Sequence, residues 1–221
     1  MSNTLNTFIA EIVQLNLKVG SISLDQRNFL QEFLTLNPDI HTVFETGFHA
    51  GLSAATILDT RPDIKVISSD IFWFDYTRKA KLILDIYYPR RHTLLAGNSI
   101  NTLPTFFSQF PNYQPDLVFI DGGHEDPVPL LDLYHILSHI KPDTWVIVDD
   151  YCEAHGSHGV NKAVNLYINN RVLKDCNVMR DDTDRGWLVA KRSDVPVPEL
   201  PLAHDETEID FLLRDTNSHY E

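Results

Sequence analysis

Five short apolar runs, each followed by small or acidic residues and then by helix-forming sequence, limit what this chain can fold into more than any other feature. They cover about residues 42–46, 64–70, 92–96, 116–121 and 144–149, and helical patterns fill about 51–59, 76–87, 99–108, 127–138 and 159–169. Near-continuous apolar strands alternating with helices imply parallel strands buried on both faces, because a parallel connection needs a crossover and helices supply it. Two further strand patterns, 172–180 and 186–191, are joined only by the polar turn Asp181–Arg185. A connection that short allows an antiparallel hairpin and nothing else.

Upstream, residues 4–18 carry Leu5, Phe8, Ile9, Ile12 and Leu15 at helical spacing, with Gly20 placed to stop the helix. A second helix starts at Ser23, buries Phe29, Leu30, Phe33 and Leu34, and ends at Asn37-Pro38. The organisation read from these patterns is an N-terminal helical cap over residues 1–38, an α/β domain over 39–192, and an acidic tail over 193–221 with a short helix at 208–214.

The chemistry is expected at the carboxyl ends of the strands, where open parallel sheets bind ligands next to the point at which strand order reverses. Four of the five runs end on an acid: Glu45, Asp70, Asp121, and Asp149 with Asp150. The remaining run is followed by Gly97-Asn98-Ser99. Like charges gathered on one rim repel unless a cation or a hydroxyl-rich ligand is present. The turn from Gly47 to Gly51 leads from strand into helix and leaves N–H groups facing a cleft. Its spacing is not that of the dinucleotide fingerprint, and no phosphate-cradling lysine follows it. Asp70, about 25 residues after Glu45, stands where an acid takes the two hydroxyls of a ribose, so an adenosine-containing ligand is expected. Asp121, Asp149 and Asp150 offer hard oxygen ligands suited to Mg²⁺, Ca²⁺ or Mn²⁺. His124, after two glycines, is positioned as a general base, with His155 and His158 as weaker candidates. Phe72, Trp73, Phe74, Tyr76, Tyr87 and Tyr88 are candidates to shape an acceptor pocket.

The net charge of −13 argues against nucleic acid and anionic membranes as partners, since nonspecific binding to either comes from Lys and Arg. From Asp194 onward eight acids face one base, which leaves the remaining body only mildly acidic at −6. The two cysteines, Cys152 and Cys176, are too few for a disulfide framework and lack zinc-site spacing, so reduced thiols are expected. The N-terminus lacks a secretory pattern, no apolar run has membrane length, and a cytoplasmic location follows as the expectation.

Taken together, Phe44-Glu45-Thr46-Gly47 with Gly51, Asp70, Ala96-Gly97-Asn98-Ser99, Phe119 to His124 and Val146 to Tyr151 resemble the class I S-adenosylmethionine (SAM)-dependent methyltransferases. Within that superfamily the chain is similar to the methyltransferase 24 and macrocin O-methyltransferase type. The resemblance spans about residues 40–192. It implies a Rossmann-like α/β fold, a mostly parallel seven-stranded sheet with an antiparallel last strand and helices on both faces. It also implies a SAM site built from Glu45, Thr46, Gly47, Gly51, Ser53, Asp70, Asn98, Ser99 and Asp121. Glu45, Gly47 and Gly51 would line the methionine end, Asp70 the ribose, and Asn98 and Ser99 the adenine. Asp121 and His124 would be catalytic, and Asp121, Asp149 and Asp150 would hold a divalent metal such as Mg²⁺. The expected reaction is O-methylation of a small hydroxylated acceptor, with homo-oligomerisation left open. Its rivals are a SAM-binding protein without transfer activity, and a hydroxylase-like or nucleotide-sugar enzyme on the same fold. In one place the motif departs from the superfamily: its usual middle glycine is His49 here.

Overall fold

In the computed structural model, which describes residues 2–15, 17, 22–152 and 158–200, the predicted alternation becomes one seven-stranded sheet. The elements in order are α1 (Asn3–Val13), α2 (Leu24–Leu36), β1 (Thr42–Thr46), α3 (Leu52–Thr60), β2 (Lys65–Asp70), α4 (Asp75–Tyr87), β3 (His92–Ala96), α5 (Ser99–Gln109), β4 (Leu117–Ile120), α6 (Val128–His139), β5 (Trp145–Val148), α7 (His158–Asn169), β6 (Leu173–Arg180) and β7 (Gly186–Arg192). The sheet order is β3-β2-β1-β4-β5-β7-β6. Strands β1 to β5 pair in parallel, and β7 inserts antiparallel between β5 and β6. The hairpin read from the short Asp181–Arg185 turn is therefore present, with its second strand inside the sheet and its first at the edge.

The period of two along each strand explains the two cores. Val43, Leu117, Phe119 and Ile147 pack on one face with α1 to α4, while Phe44, Val118, Ile120, Val146 and Val148 pack on the other with α5 to α7. Each fully buried side chain of this size contributes roughly 1.5–3 kcal/mol relative to exposure.

Helix α2 opens on a capping box in which Ser23 and Gln26 satisfy each other's backbone N–H groups. Its Phe33 and Phe29 pack on Trp145 of β5 and Trp187 of β7, with ring centroids 5.1 and 5.4 Å apart. Helix α1 instead lies against α3 and α4, its Phe8 set between Tyr87 and Tyr88. Tyr87 and Tyr88 thus serve the packing of the N-terminal helix and not an acceptor pocket. Helix α1 ends at Val13, short of the predicted stop, and Gly20 lies outside the described residues. His155 and the 208–214 helix also lie outside them. Both cysteines are free, Cys152 buried and Cys176 exposed. Among the described residues no helix is long and apolar enough to cross a membrane.

Candidate active site

The chain moves outward from β1 to β2 and β3, then crosses back to β4 on the other side of β1. That reversal opens a crevice over the carboxyl ends of β1 and β4. A cavity of about 430 Å³ lies there. Its walls are Thr46 to His49 after β1, Ser69 to Ile71 after β2, Gly97 to Ile100 after β3 and Asp121 to His124 after β4. Leu52 and Ser53 of α3, Trp73, Phe74, Ile22, Pro127, Val128 and Asp132 complete it. Gly47 is required at its bend: φ is +85°, and a Cβ there would stand 1.7 Å from the Asp121 carbonyl oxygen.

On the β2 side, Asp70 is held by backbone alone. Its two carboxylate oxygens accept from the N–H groups of His49 at 2.7 Å and Phe72 at 2.6 Å. His49 occupies the left-handed region, with φ 50°, and its Nε2 lies 2.5 Å from the Tyr76 hydroxyl. Tyr76 in turn stacks on Phe74, their ring centroids 4.9 Å apart. The residue that replaces the usual glycine therefore forms part of the cavity wall and anchors Asp70 without filling the crevice. Burial lowers the proton affinity of its ring, opposed by the Asp70 charge.

On the β4 and β5 side, the carboxylates crowd. Burial first, then the charges of Asp149, Asp150 and Glu45, push the Asp121 carboxyl well above its ordinary range. Asp149 is raised to about 6 by burial and by Asp150, with Arg185 opposing. Asp150 remains below its ordinary value: burial would raise it, but the hydrogen bond from His124 and the Arg185 guanidinium outweigh that. His124 Nε2 lies 2.9 Å from Asp150 Oδ2, and this contact raises the imidazole's proton affinity. One oxygen or nitrogen each from Asp121, His124 and Asp150 gathers within 4.8 Å.

The grouping of side chains that could hold a metal differs from the expected Asp121, Asp149 and Asp150 in one member, with His124 in place of Asp149. Asp149 turns away from the cavity, accepting from Gln26 Nε2 and the Asp150 N–H, with Arg185 Nη2 3.3 Å from its other oxygen. Neither Asp149 nor Asp150 is among the residues that line the cavity; Asp150, in the left-handed region at φ 56°, meets His124 instead. His124 takes the third place. Arg185, from the turn between β6 and β7, and Gln26, from α2, are not singled out by the sequence, since both lie far in the chain from the acid pair that they meet.

Glu45 and Gly51 are also not among the residues that line the cavity. Glu45 is fully buried at an inner position of a central strand, where Ser53 Oγ and Ser68 Oγ both donate to it. Desolvation raises it to about 7 in spite of those bonds. Ser53, which does line the cavity, lies between Glu45 and any ligand. Gly51 caps α3 with φ 74°, and the Phe48 ring sits where its Cβ would be. Thr46, Gly47, Ser53, Asp70, Asn98, Ser99, Asp121 and His124 all border the cavity.

This arrangement has counterparts. Residues 44–151 match the family model described as a methyltransferase domain. Those residues, just under half of the chain, are similar to a methyltransferase domain. The match agrees with the methyltransferase resemblance of the motifs, and the Rossmann-like fold expected with it is borne out. The O-methyltransferase of Bacillus cereus, solved in complex with SAH, superposes with a TM-score of 0.72 at 14% identity, covering 87% of this chain and 92% of that one. The O-methyltransferase TomG of Streptomyces achromogenes, involved in tomaymycin synthesis and solved with SAM, gives 0.68 at 17% identity, covering 87% and 91%. The SAH-bound methyltransferase of Podospora anserina gives 0.68 at 14% identity, covering 88% and 89%. Comparison with curated proteins yields no significant match. The match to the methyltransferase domain ends at Tyr151, so Arg185 of the terminal hairpin and Gln26 of α2 are contributed to the site from outside it.

Proposed function

We propose that this methyltransferase domain transfers a methyl group from SAM to a hydroxyl of a small acceptor. The observation that carries the reading is the division of one cavity into two ends: a backbone-held carboxylate and glycine turn at one, and Asp121 with His124 at the other, where Asp150 pairs with His124.

Asp70 accepts from the ribose hydroxyls, which its fixed position suits because no side-chain ordering is left to be lost on binding. The first N–H groups of α3, which have no partner within the helix, face an anionic methionine carboxylate beside Ser53. SAM supplies an electrophilic methyl on a sulfonium. The acceptor oxygen attacks that carbon in line with the C–S bond; the bonding pair leaves with sulfur, yielding the thioether product SAH. Alignment of this kind is worth of order 7 kcal/mol in favourable cases. Asp150 orients the His124 imidazole, which takes the acceptor's proton, and the ion pair they form stabilises the imidazolium that results. Asp121 holds the hydroxyl toward the methyl. Trp73 and Phe74, at the cavity mouth, give the acceptor an apolar and aromatic wall.

The same three side chains fit a divalent ion. Two carboxylates and an imidazole converge, and Asp121 lies among like charges that a cation would relieve. Bound by Asp121, His124 and Asp150, Mg²⁺ or Mn²⁺ would act as a Lewis acid that lowers the acceptor hydroxyl's pKa.

Isothermal titration with S-adenosylhomocysteine tests the cofactor assignment. Saturable binding is expected, weakened about 10- to 100-fold in Asp70→Asn, because two hydrogen bonds to a charged acceptor are lost. Absence of binding to the wild-type chain sinks the reading.

A further inference from the structure

Asp132 takes no part in the chemistry proposed for this cavity, yet it borders it. It lies one turn into α6 on the helix face that carries Pro129, Leu133, Ile136 and Leu137 into the core. Its side chain is nine-tenths buried or more, at 1% exposure. Neither carboxylate oxygen has a hydrogen-bonding partner in place, and nor does the buried Thr46 Oγ1 beside it. Burial drives the carboxyl up to about 7, and the nearby hydroxyls of Ser99 and Thr46 offset only part of this. Leaving such a group unsatisfied costs about 1–3 kcal/mol. With those two hydroxyls beside it, a carboxylate of about four acceptor positions still has room for a donor that arrives from the cavity.

The backbone is shaped around it. A Cβ at residue 122 would stand 2.9 Å from Asp132 Oδ2 and 3.2 Å from Thr46 Oγ1, so Gly122 keeps the space over the carboxylate open. The layers of the fold then say which part of the ligand comes near. Ser53 and the start of α3 belong to the α1–α4 face, whereas Ser99 opens α5 and Asp132 sits on α6, both on the opposite face. A ligand that places its amino-acid end at α3 and its ribose at Asp70 therefore sends its base toward Ser99, Ile100, Val128 and Asp132. Ile100 and Val128 provide apolar walls for a flat ring, and Asp132 is the acid at its edge.

Resting on the SAM reading, we propose that Asp132 is a specificity-determining residue that accepts a hydrogen bond from the exocyclic amine of the cofactor's purine and so selects adenine over a 6-oxo purine. A 6-oxo group would set an acceptor against a buried carboxylate and leave both unpaired. Sites built to hydrogen-bond a group reject the analogue lacking it far more strongly than apolar pockets reject a change of shape.

The experiment is titration of the full chain with S-adenosylhomocysteine and with S-inosylhomocysteine at about pH 8, where an acid of such affinity is largely ionised. The adenine ligand is expected to bind at least about 100-fold more tightly. In Asp132→Asn, whose amide can donate to a 6-oxo group, the ratio is expected to fall by about tenfold or more. Asp132→Ser serves the same comparison should the amide variant fail to fold. Equal affinity of the two ligands for the wild-type chain overturns the assignment, as does a ratio unchanged in a folded variant. Failure of both ligands to bind the wild-type chain removes the SAM reading and this inference with it, and is distinct from equal binding of both.

Discussion

The two ends of the sheet treat the same residue type in opposite ways. At the amino end of the strands, Asp116 accepts from the His41 and Thr42 N–H groups and from Thr42 Oγ1, which together hold its carboxyl down against its burial. Asp63 pairs with Arg61 and His41, and Asp143 with Lys174; both are held below the ordinary carboxylate range by those partners. At the carboxyl end, Asp121, Asp132, Asp149 and Glu45 are all pushed up, by burial first and, for all but Asp132, by neighbouring carboxylates as well. Acids at the amino end are satisfied and tie loops to strands. At the carboxyl end Asp70 and Asp150 have donors, but the other four acids are held at a cost to the fold, which is the pattern expected where a ligand, a proton or a cation is to be bound.

The largest effect expected from this contrast is on cation binding. Asp121→Asn should weaken Mn²⁺ binding at least about 100-fold in a direct titration, since it removes one charged ligand of three. S-adenosylhomocysteine affinity should stay within about threefold, a change too small to reflect a lost charged hydrogen bond. Equal Mn²⁺ binding by both proteins would show that the crowded carboxylates do not form a cation site. An intermediate effect is expected at the other end. Asp116→Ala leaves two backbone donors and a hydroxyl without their acceptor and should lower unfolding stability by about 1–3 kcal/mol, with S-adenosylhomocysteine binding unaltered. Loss of ligand affinity there would mean that the two ends are not separate in function.

The smallest effect is a slope with pH. Glu45 and Asp132, each at about 7, and Asp149, at about 6, hold protons in the folded chain that the unfolded chain has released above about pH 4. Their contribution is complete below the unfolded value and is lost as pH rises through the folded one. Each proton accounts for up to about 1.4 kcal/mol per pH unit within that window. Thermal unfolding of the ligand-free protein should therefore show stability falling from about pH 6.5 to pH 8, above the range in which buried His92, lowered to about 3, acts in the opposite sense, and less steeply in Asp132→Asn. A melting temperature that rises across the interval would contradict the raised affinities.

Much of the fold is legible in the sequence, for a physical reason. The strands are short and buried on both faces, so their apolar runs stand out, and all seven appear close to their predicted bounds. Asp70, Asp121, His124 and Asp150 can be read because open sheets place ligands at strand ends, and a strand end is a local feature. Arg185 and Gln26 cannot, because only the folded topology brings the hairpin turn and α2 to the acid pair. Glu45 misleads by resemblance: it occupies the motif position, but its strand turns it inward behind Ser53. Asp132 does leave a signal. An acid on the same helix face as Pro129, Leu133 and Ile136 is an acid facing the core, and the helical spacing of those residues alone exposes that anomaly.

The most direct test of the contrast is a crystal structure of the full chain grown with S-adenosylhomocysteine and Mn²⁺. The nucleoside is expected in the 430 Å³ cavity with its ribose hydroxyls on Asp70, and anomalous density among Asp121, His124 and Asp150. A cavity without nucleoside density, in crystals grown at saturating ligand, would contradict the assignment of the carboxyl end as the cofactor site.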